Sequence, residues 1–312
     1  MGNPVRIGLV GVGKIARDQH IPSIAANADF TLAAVASRHG HVDGVPNYPS
    51  IEAMLDSQSG LDAVAICTPP QVHYEAAKLA LSRGKHVLLE KPPCTSLLQF
   101  DNLVRLAKAS DRTFYQTWHS QHAHGVAPAA RLLTERALHS AHVTWKEDVR
   151  QWHPGQTWIW QAGGFGVFDP AINAFSILTR LFPEPIFPES ATLYVPSNCE
   201  APIAADVEFV TDSGAKISAA LDFRHTGTQT WDIDIETDRG PLKLSAGGAK
   251  LIVGSNDVPP EAGALESEYE AIYRRFADLI ARGQSDVDAR PLQLVADIFM
   301  VAKRIAAEPF ED

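Results

Sequence analysis

An apolar run, Val5–Val10, leads directly into Gly11-Val12-Gly13-Lys14-Ile15-Ala16, and an amphipathic stretch follows from Lys14 to about Ala26. This order of strand, glycine turn and helix constrains the fold more than any other feature of the chain. A first glycine makes the tight turn out of a strand, and a second lets the main chain approach a pyrophosphate. A third small residue, here Ala16, lets the helix lie close on the strand. The free N–H groups at the helix start then face phosphate oxygens. The spacing predicts a dinucleotide site with Gly11, Gly13, Lys14 and Ile15 along the phosphates. A glycine-rich turn serving only packing is the alternative.

The same alternation continues. Leu32–Ser37, Asp62–Cys67, His86–Leu89 and Thr113–Thr117 read as further buried strands. Helical periodicity covers Val72–Ser82 and about Leu97–Ala109. Apolar strands interleaved with helices predict a parallel sheet covered on both faces, a doubly wound domain over residues 1–120. From residue 121 to 312 the pattern changes. His142–Val149, Ile203–Val210, Lys216–Phe223, Asp232–Thr237 and Leu242–Ser245 alternate apolar and polar residues, with glycine turns between several of them. They predict an antiparallel meander with one wet face. A helix over Pro170–Leu181 precedes it, and two helices, Ser267–Arg282 and Pro291–Ala306, follow. Pro183, Pro185 and Pro188 read as the loop into the sheet. The fold class expected is therefore α/β: a Rossmann doubly wound parallel sheet, then an α+β domain with an open, mainly antiparallel sheet.

Composition narrows the partners. The 312 residues carry a net charge of −10, and such a surface does not attract nucleic acid or anionic membrane. The three cysteines are too few and too scattered for a disulfide framework. No zinc-ligand spacing appears among His20, His122, His124, His139, His142 and His225, so no metal is expected. The start, Met1 to Arg6, lacks the apolar core of a signal peptide, and Arg6 stands where a myristoylation motif needs Ser or Thr. A cytoplasmic protein is expected.

The tip of the second strand usually selects the cofactor, because a carboxylate there binds the ribose 2′-hydroxyl of NAD. Here Val35-Ala36-Ser37-Arg38-His39 has none. Ser37 can hydrogen-bond and Arg38 can pair with a 2′-phosphate, so NADP is expected to be preferred and NAD accepted. Otherwise Arg38 is a solvated charge or stacks on adenine. Thr68-Pro69-Pro70 closes the third strand and Glu90-Lys91-Pro92-Pro93 the fourth, where strand ends meet a ligand crevice. A charged Glu-Lys pair at the end of a buried strand points to a site, and a cis Pro92 would aim Lys91 into it.

With Gly11 to Ala16, Thr68-Pro69-Pro70, His73 on the next helix and Glu90-Lys91-Pro92, the chain resembles the glucose–fructose oxidoreductase/inositol dehydrogenase/MocA family over nearly its whole length. Longer stretches are similar to the bacterial aldose 1-dehydrogenases of that family acting on L-arabinose and D-galactose. These are Gly13 to His20, Trp145 to Arg150, Trp152 to Gln156, Trp158 to Trp160 and Gly166 to Pro170. The resemblance implies a C-terminal sheet used in homo-oligomers, dimer or dimer of dimers, and a Lys91 that touches substrate and cofactor. Thr68, Pro69, His73 and Glu90 are then expected on the cofactor side. It also implies an aspartate followed four residues later by a catalytic histidine. Asp169 is present, but Asn173 stands at the second position, and a neutral amide cannot be a general base.

If Pro170 opens a helix, Asp169 is its N-cap and Asn173 lies one turn on. The preceding Gly163-Gly164-Phe165-Gly166 suggests close approach of a ligand to the main chain. Oxidation of an aldose at C1 to a lactone needs a hydride acceptor, a proton acceptor and stabilisation of the reacting oxygen. Asp169 is the candidate base, Asn173 orients the hydroxyl and Lys91 stabilises its charge; a desolvated neutral Lys91 as base is the alternative. His119, Glu147, Trp152, His153 and Trp231 can line a sugar pocket, although Glu147 can equally face solvent. Trp145, Trp158 and Trp160 read as core anchors. A sensor without turnover, or a dehydrogenase of another polyol such as inositol, are the competing functions.

Overall fold

The computed structural model describes residues 3–261, 265 and 267–311. Met1 and Gly2, read above for targeting signals, lie outside the described residues. The chain forms two compact units: Met1–Trp118 with Leu265–Ala289, and His119–Ala264 with Arg290–Asp312.

The first unit begins β1 (Val5–Val10), α1 (Ile21–Ala26), β2 (Phe30–Ala36), β3 (Asn47–Tyr48) and α2 (Ile51–Ser57). It continues β4 (Ala63–Ile66), α3 (Pro70–Ser82), β5 (His86–Leu89), α4 (Leu97–Ala109) and β6 (Phe114–Gln116). All pairs are parallel in the order β3-β2-β1-β4-β5-β6, so the strand order reverses between β1 and β4. Ligands of open α/β sheets bind outside the strand ends at such a reversal. β4 is buried at every residue, as a strand covered on both faces must be. The helix predicted from Lys14 is partly a π-helix, Ala16–His20, before α1.

The second unit opens with α5 (Val126–Leu133), β7 (Leu138–Lys146), α6 (Val149–Trp152) and α7 (Phe168–Leu181). The strands β8 (Ile186–Pro196), β9 (Ala204–Thr211), β10 (Lys216–Asp222), β11 (Thr230–Thr237), β12 (Leu242–Ser245), β13 (Lys250–Val253) and β14 (Asn256–Val258) follow. Helix α8 (Glu268–Arg282) returns to the first unit, where Tyr269, Ile272, Tyr273 and Phe276 enter the core beside Ile7 and Leu9. Helix α9 (Arg290–Val301) and β15 (Ala302–Ala307) complete the second unit.

Its sheet runs β14-β13-β12-β11-β7-β10-β9-β8-β15 and is mainly antiparallel. It departs from the simple meander in two places, since β7 pairs parallel with β10 and β15 parallel with β8. The proline segment was expected to be loop, yet β8 starts at Ile186. Pro188 is accommodated because the register shifts between Pro188 and Ser190, where a missing N–H is tolerated. The last helix also ends earlier than its periodicity suggests. Ala302–Ala307 has good helix formers, but pairing with β8 overrides that weak preference. Helix α7 is buried along almost its entire length, with Arg180 exposed near its end. Among the described residues, no helix is long and apolar enough to cross a membrane.

Candidate active site

In the first unit, Gly11 has φ +89, and its N–H donates to Ala36 O at 2.9 Å. A Cβ there would lie 2.9 Å from Thr68 Cγ2, so glycine is required. A Cβ at Gly13 would meet nothing within 4 Å. That open space at the start of the helix leaves room for a phosphate against the main chain. Ala16 is fully buried in the core, as the third small position demands. Lys14 and Ile15 are exposed, and Lys14 Nζ pairs with Asp18. At the tip of β2, Ser37 Oγ accepts from Gly40 N at 3.0 Å, and Arg38 is exposed beside it. Thr68 Oγ1 is buried without a hydrogen-bond partner. An unsatisfied buried hydroxyl costs free energy until a ligand or water meets it. The space at Gly13 and the orphan hydroxyl both fit a dinucleotide.

His73 and Glu90 are held by groups of the chain itself. His73 is fully buried. Its Nδ1 lies 2.9 Å from Pro92 O and its Nε2 meets Thr68 O, so the ring ties the β4 loop to the β5 loop. Burial pushes its value below the ordinary one, against the pull of those carbonyls. Glu90 is 4% exposed. Its Oε1 accepts from His20 Nε2 (3.1 Å), Thr117 Oγ1 (3.2 Å) and Tyr269 Oη (3.0 Å), and its Oε2 from Lys91 N (3.1 Å). Tyr273 Oη lies 2.8 Å from His20 Nδ1. Burial, with the Glu90 charge added, pushes the Tyr269 hydroxyl well up, so it remains a donor. Glu90 therefore anchors the main chain at Lys91. The Lys91–Pro92 bond is cis. These long-range partners were invisible to local reading, since Tyr269 is 179 residues from Glu90.

In the second unit, Asp169 and Asn173 are 2% and 8% exposed. Helix α7 starts at Phe168, so Asp169 sits in its first turn and is not the N-cap; Val167 is. A carboxylate is favoured there by the helix dipole. Asn173, one turn on, has its Oδ1 buried and without a hydrogen-bond partner.

Trp145 and Trp231 are direct cross-strand partners of β7 and β11 and stack with centroids 6.0 Å apart. Glu147 is two residues beyond Trp145, hence on the same face. It is 3% exposed, which settles its orientation inward. Its Oε2 accepts from Trp231 Nε1 at 2.6 Å. Trp152 tilts against Trp231 at 5.2 Å, and its Nε1 has no partner. His153 Nε2 lies 3.8 Å from Asp169 Oδ2 and 4.0 Å from Glu147 Oε1. The unit thus brings together Glu147, Trp152, His153, Asp169 and Trp231, and Trp145 joins them as backing for Trp231. Trp160 packs on Phe223 and Phe310. His119 opens the turn His119–His122, with Nδ1 3.4 Å from Ser120 Oγ.

The glycine run before α7 has a structural cause. A Cβ on Gly164 would fall 2.1 Å from Trp158 O, and one on Gly166 2.2 Å from Pro202 O. The close approach there is to the chain's own backbone, not to a ligand as the run had suggested.

Residues 5–117 match an oxidoreductase family with an NAD-binding Rossmann fold. Galactose 1-dehydrogenase of Pseudomonas fluorescens is 46% identical over 309 residues, 99% of each chain. The crystal structure of a D-galactose-1-dehydrogenase protein from Rhizobium etli is 51% identical with a TM-score of 0.94, covering 100% of this chain and 99% of that one. A 3-ketoreductase from Actinomadura kijaniata, solved with TDP-benzene and NADP, shares the fold at 20% identity and a TM-score of 0.83, covering 98% and 100%.

Proposed function

The chain belongs to the glucose–fructose oxidoreductase/inositol dehydrogenase/MocA family, and from that premise we propose that it is an NAD(P)-dependent aldose 1-dehydrogenase. Its substrate is a pyranose such as D-galactose or L-arabinose, which it oxidises at C1 to the lactone. The observation that carries this reading is the buried group on one unit: Asp169 and Asn173 on α7, Glu147 and His153 beside them, and a tryptophan surface next to them. Sugars pair polar hydroxyls with flat C–H faces, and that combination matches both.

Gly11, Gly13, Lys14 and Ile15 would hold the pyrophosphate, with Thr68 and Pro69 at the neighbouring strand end and Ser37 and Arg38 at the adenosine ribose. Bound NAD(P) supplies the hydride acceptor. Asp169 takes the C1 hydroxyl proton. Asn173 Oδ1, otherwise unsatisfied, accepts from a sugar hydroxyl and orients C1. Lys91 stabilises the reacting oxygen, its main chain braced by Glu90. Trp152 and Trp231 supply the stacking faces, Trp152 Nε1 adds a donor, and His119 contributes at the pocket margin. Arg38, with no carboxylate in the strand tip Val35–His39, supports a preference for NADP over NAD. The exposed apolar side chains Phe187, Met300, Val301 and Ile305 on the second unit support a homo-oligomer, and the same reading makes the enzyme cytoplasmic.

Absorbance at 340 nm with NADP or NAD against D-galactose, L-arabinose, other aldoses and inositols tests the proposal. Reduction with the two named sugars is expected. Cofactor binding without reduction by any sugar would overturn it in favour of a sensor, and reduction only with inositols would reassign the substrate.

A further inference from the structure

The residue one turn after Asp169 is Asn173, which cannot carry a proton. The Asp169 side chain is 3% exposed, so a proton it receives has no direct route to water. His153 lies beside it from a different segment, immediately after α6. Its main-chain N–H donates to Val149 O at 2.7 Å, which fixes the start of its loop. Its Nε2 is 3.8 Å from Asp169 Oδ2, ion-pair distance. The side chain is 17% exposed and so reaches solvent.

We propose that His153 is the proton exit of this site, relaying the substrate proton from Asp169 to water. The inference rests on the aldose-oxidation reading above. Oxidation breaks the C1–H bond, whose electron pair leaves with the hydride to nicotinamide. It also breaks the O–H bond of the C1 hydroxyl as the C1=O bond forms. That proton goes to Asp169. It then passes, over one water molecule bridging the 3.8 Å separation, to the Nε2 lone pair of His153, restoring the carboxylate and leaving an imidazolium. The imidazolium gives up one ring proton to water at its exposed edge, and tautomer exchange returns the remaining proton to Nδ1.

The surroundings suit this role. Gln156 Oε1 is 3.4 Å from Nδ1 and accepts an N–H there, which leaves Nε2 with its lone pair toward Asp169. Charged groups that face the ring include Asp169 from α7 and Glu147, just past the end of β7. The Phe223 ring, 5.7 Å away, covers its other side without offering charge. Two carboxylates beside one nitrogen favour the transient imidazolium electrostatically. Gln156 is accordingly a positioning residue, acting through His153.

The test uses His153→Asn, Gln156→Leu and Asp169→Asn with D-galactose and NADP. His153→Asn is expected to lower kcat about tenfold or more with the sugar KM changed less than about threefold. Added imidazole restores part of that kcat, and the rate becomes dependent on buffer concentration. Asp169→Asn is not rescued. Gln156→Leu shifts the pH profile of kcat. An unchanged kcat in His153→Asn, a rise in KM alone, or a lost kcat that imidazole fails to restore in a variant still binding NADP would each overturn the relay. Turnover by the wild type separates the two proposals. If the wild type oxidises no aldose, the functional reading fails; if it does and His153→Asn matches it, only the relay fails.

Discussion

Replacing Tyr269 by phenylalanine removes one donor from the Glu90 carboxylate and changes little else. The ring stays in the core beside Ile272 and Phe276, so no cavity of consequence opens. The lost bond is 3.0 Å long, buried, and made to a carboxylate also held by His20, Thr117 and the Lys91 main chain. A hydrogen bond to a charged group contributes about 1.5–3 kcal/mol. Because Glu90 is 4% exposed, water does not replace the donor, and the expected loss is about 2 kcal/mol. At about 2–4 °C per kcal/mol, the melting temperature of the first unit falls by about 4–8 °C. Tyr273 provides the internal comparison. Its hydroxyl meets His20 Nδ1, one step removed from the charge, so Tyr273→Phe costs about 1 kcal/mol. Scanning calorimetry of both variants measures the difference. A Tyr269→Phe melting point within about 1 °C of wild type, or a larger loss in Tyr273→Phe, would refute the picture of a charge held by this network.

Other perturbations give equally definite outcomes. Gly164→Ala drives a Cβ into Trp158 O at 2.1 Å, and destabilisation by about 3 kcal/mol or more is expected in chemical denaturation, whereas Gly155→Ala meets no atom within 4 Å and costs only the strain of φ +66, about 1–2 kcal/mol. Arg38→Ala should lower kcat/KM with NADP about tenfold or more and leave NAD nearly unchanged; equal losses would remove the 2′-phosphate role. The folded-state value of His73 lies below the ordinary one of about 6.5, so the unfolded chain binds the extra proton first. Stability is then lost as pH falls below about 6.5, until the folded value is passed. His73→Gln should flatten that slope, while His86, lowered by burial too, contributes equally to both proteins. Ellman's reagent should label only Cys199 in the native chain, since Cys67 and Cys94 are buried and the Cys94 thiol is pushed up to about 12 by desolvation; all three react in guanidinium.

What the sequence disclosed and what it concealed divide along the range of the interactions. The turn Gly11 to Ala16 was legible because its residue types and spacing carry the signal locally, even though the contacts that enforce them, Thr68 at Gly11 and the core at Ala16, are remote. Apart from β3, β8, β13 and β14, which were not read as strands, the strands of both sheets were legible from periodicity, with ends displaced by a residue or a few. β15 was not, because its conformation is decided by pairing with β8. Glu90 and His73 signalled importance by their chemistry, but their partners lie on remote or separate segments, so the anchoring they provide could not be read from the sequence. The run Gly163 to Gly166 has the opposite lesson. A glycine demanded by the chain's own carbonyls looks the same, in one sequence, as a glycine demanded by a ligand.

Hydride and proton transfer place contrary demands on one pocket. Hydride transfer is best served by a dry, preorganised environment, which excludes the water that would carry the proton away. On the proposed roles, the second unit would resolve this by splitting the tasks between elements of unlike burial. Asp169 and Asn173 are mounted on α7, whose buried faces keep them rigid and desolvated. His153 is mounted after the short helix α6, where one ring nitrogen lies 3.8 Å from the buried carboxylate and the side chain retains 17% exposure. In a pair four residues apart on α7, an imidazole at position 173 would share the burial of its carboxylate. On those proposed roles, a ring just after α6 leaves position 173 to an amide that would orient the sugar, and would give the proton a route outward. The substitution at Asn173 and the location of His153 are then two parts of one arrangement. Restoring histidine in Asn173→His should not improve turnover, and a gain in kcat from that variant would show that the separation has no function.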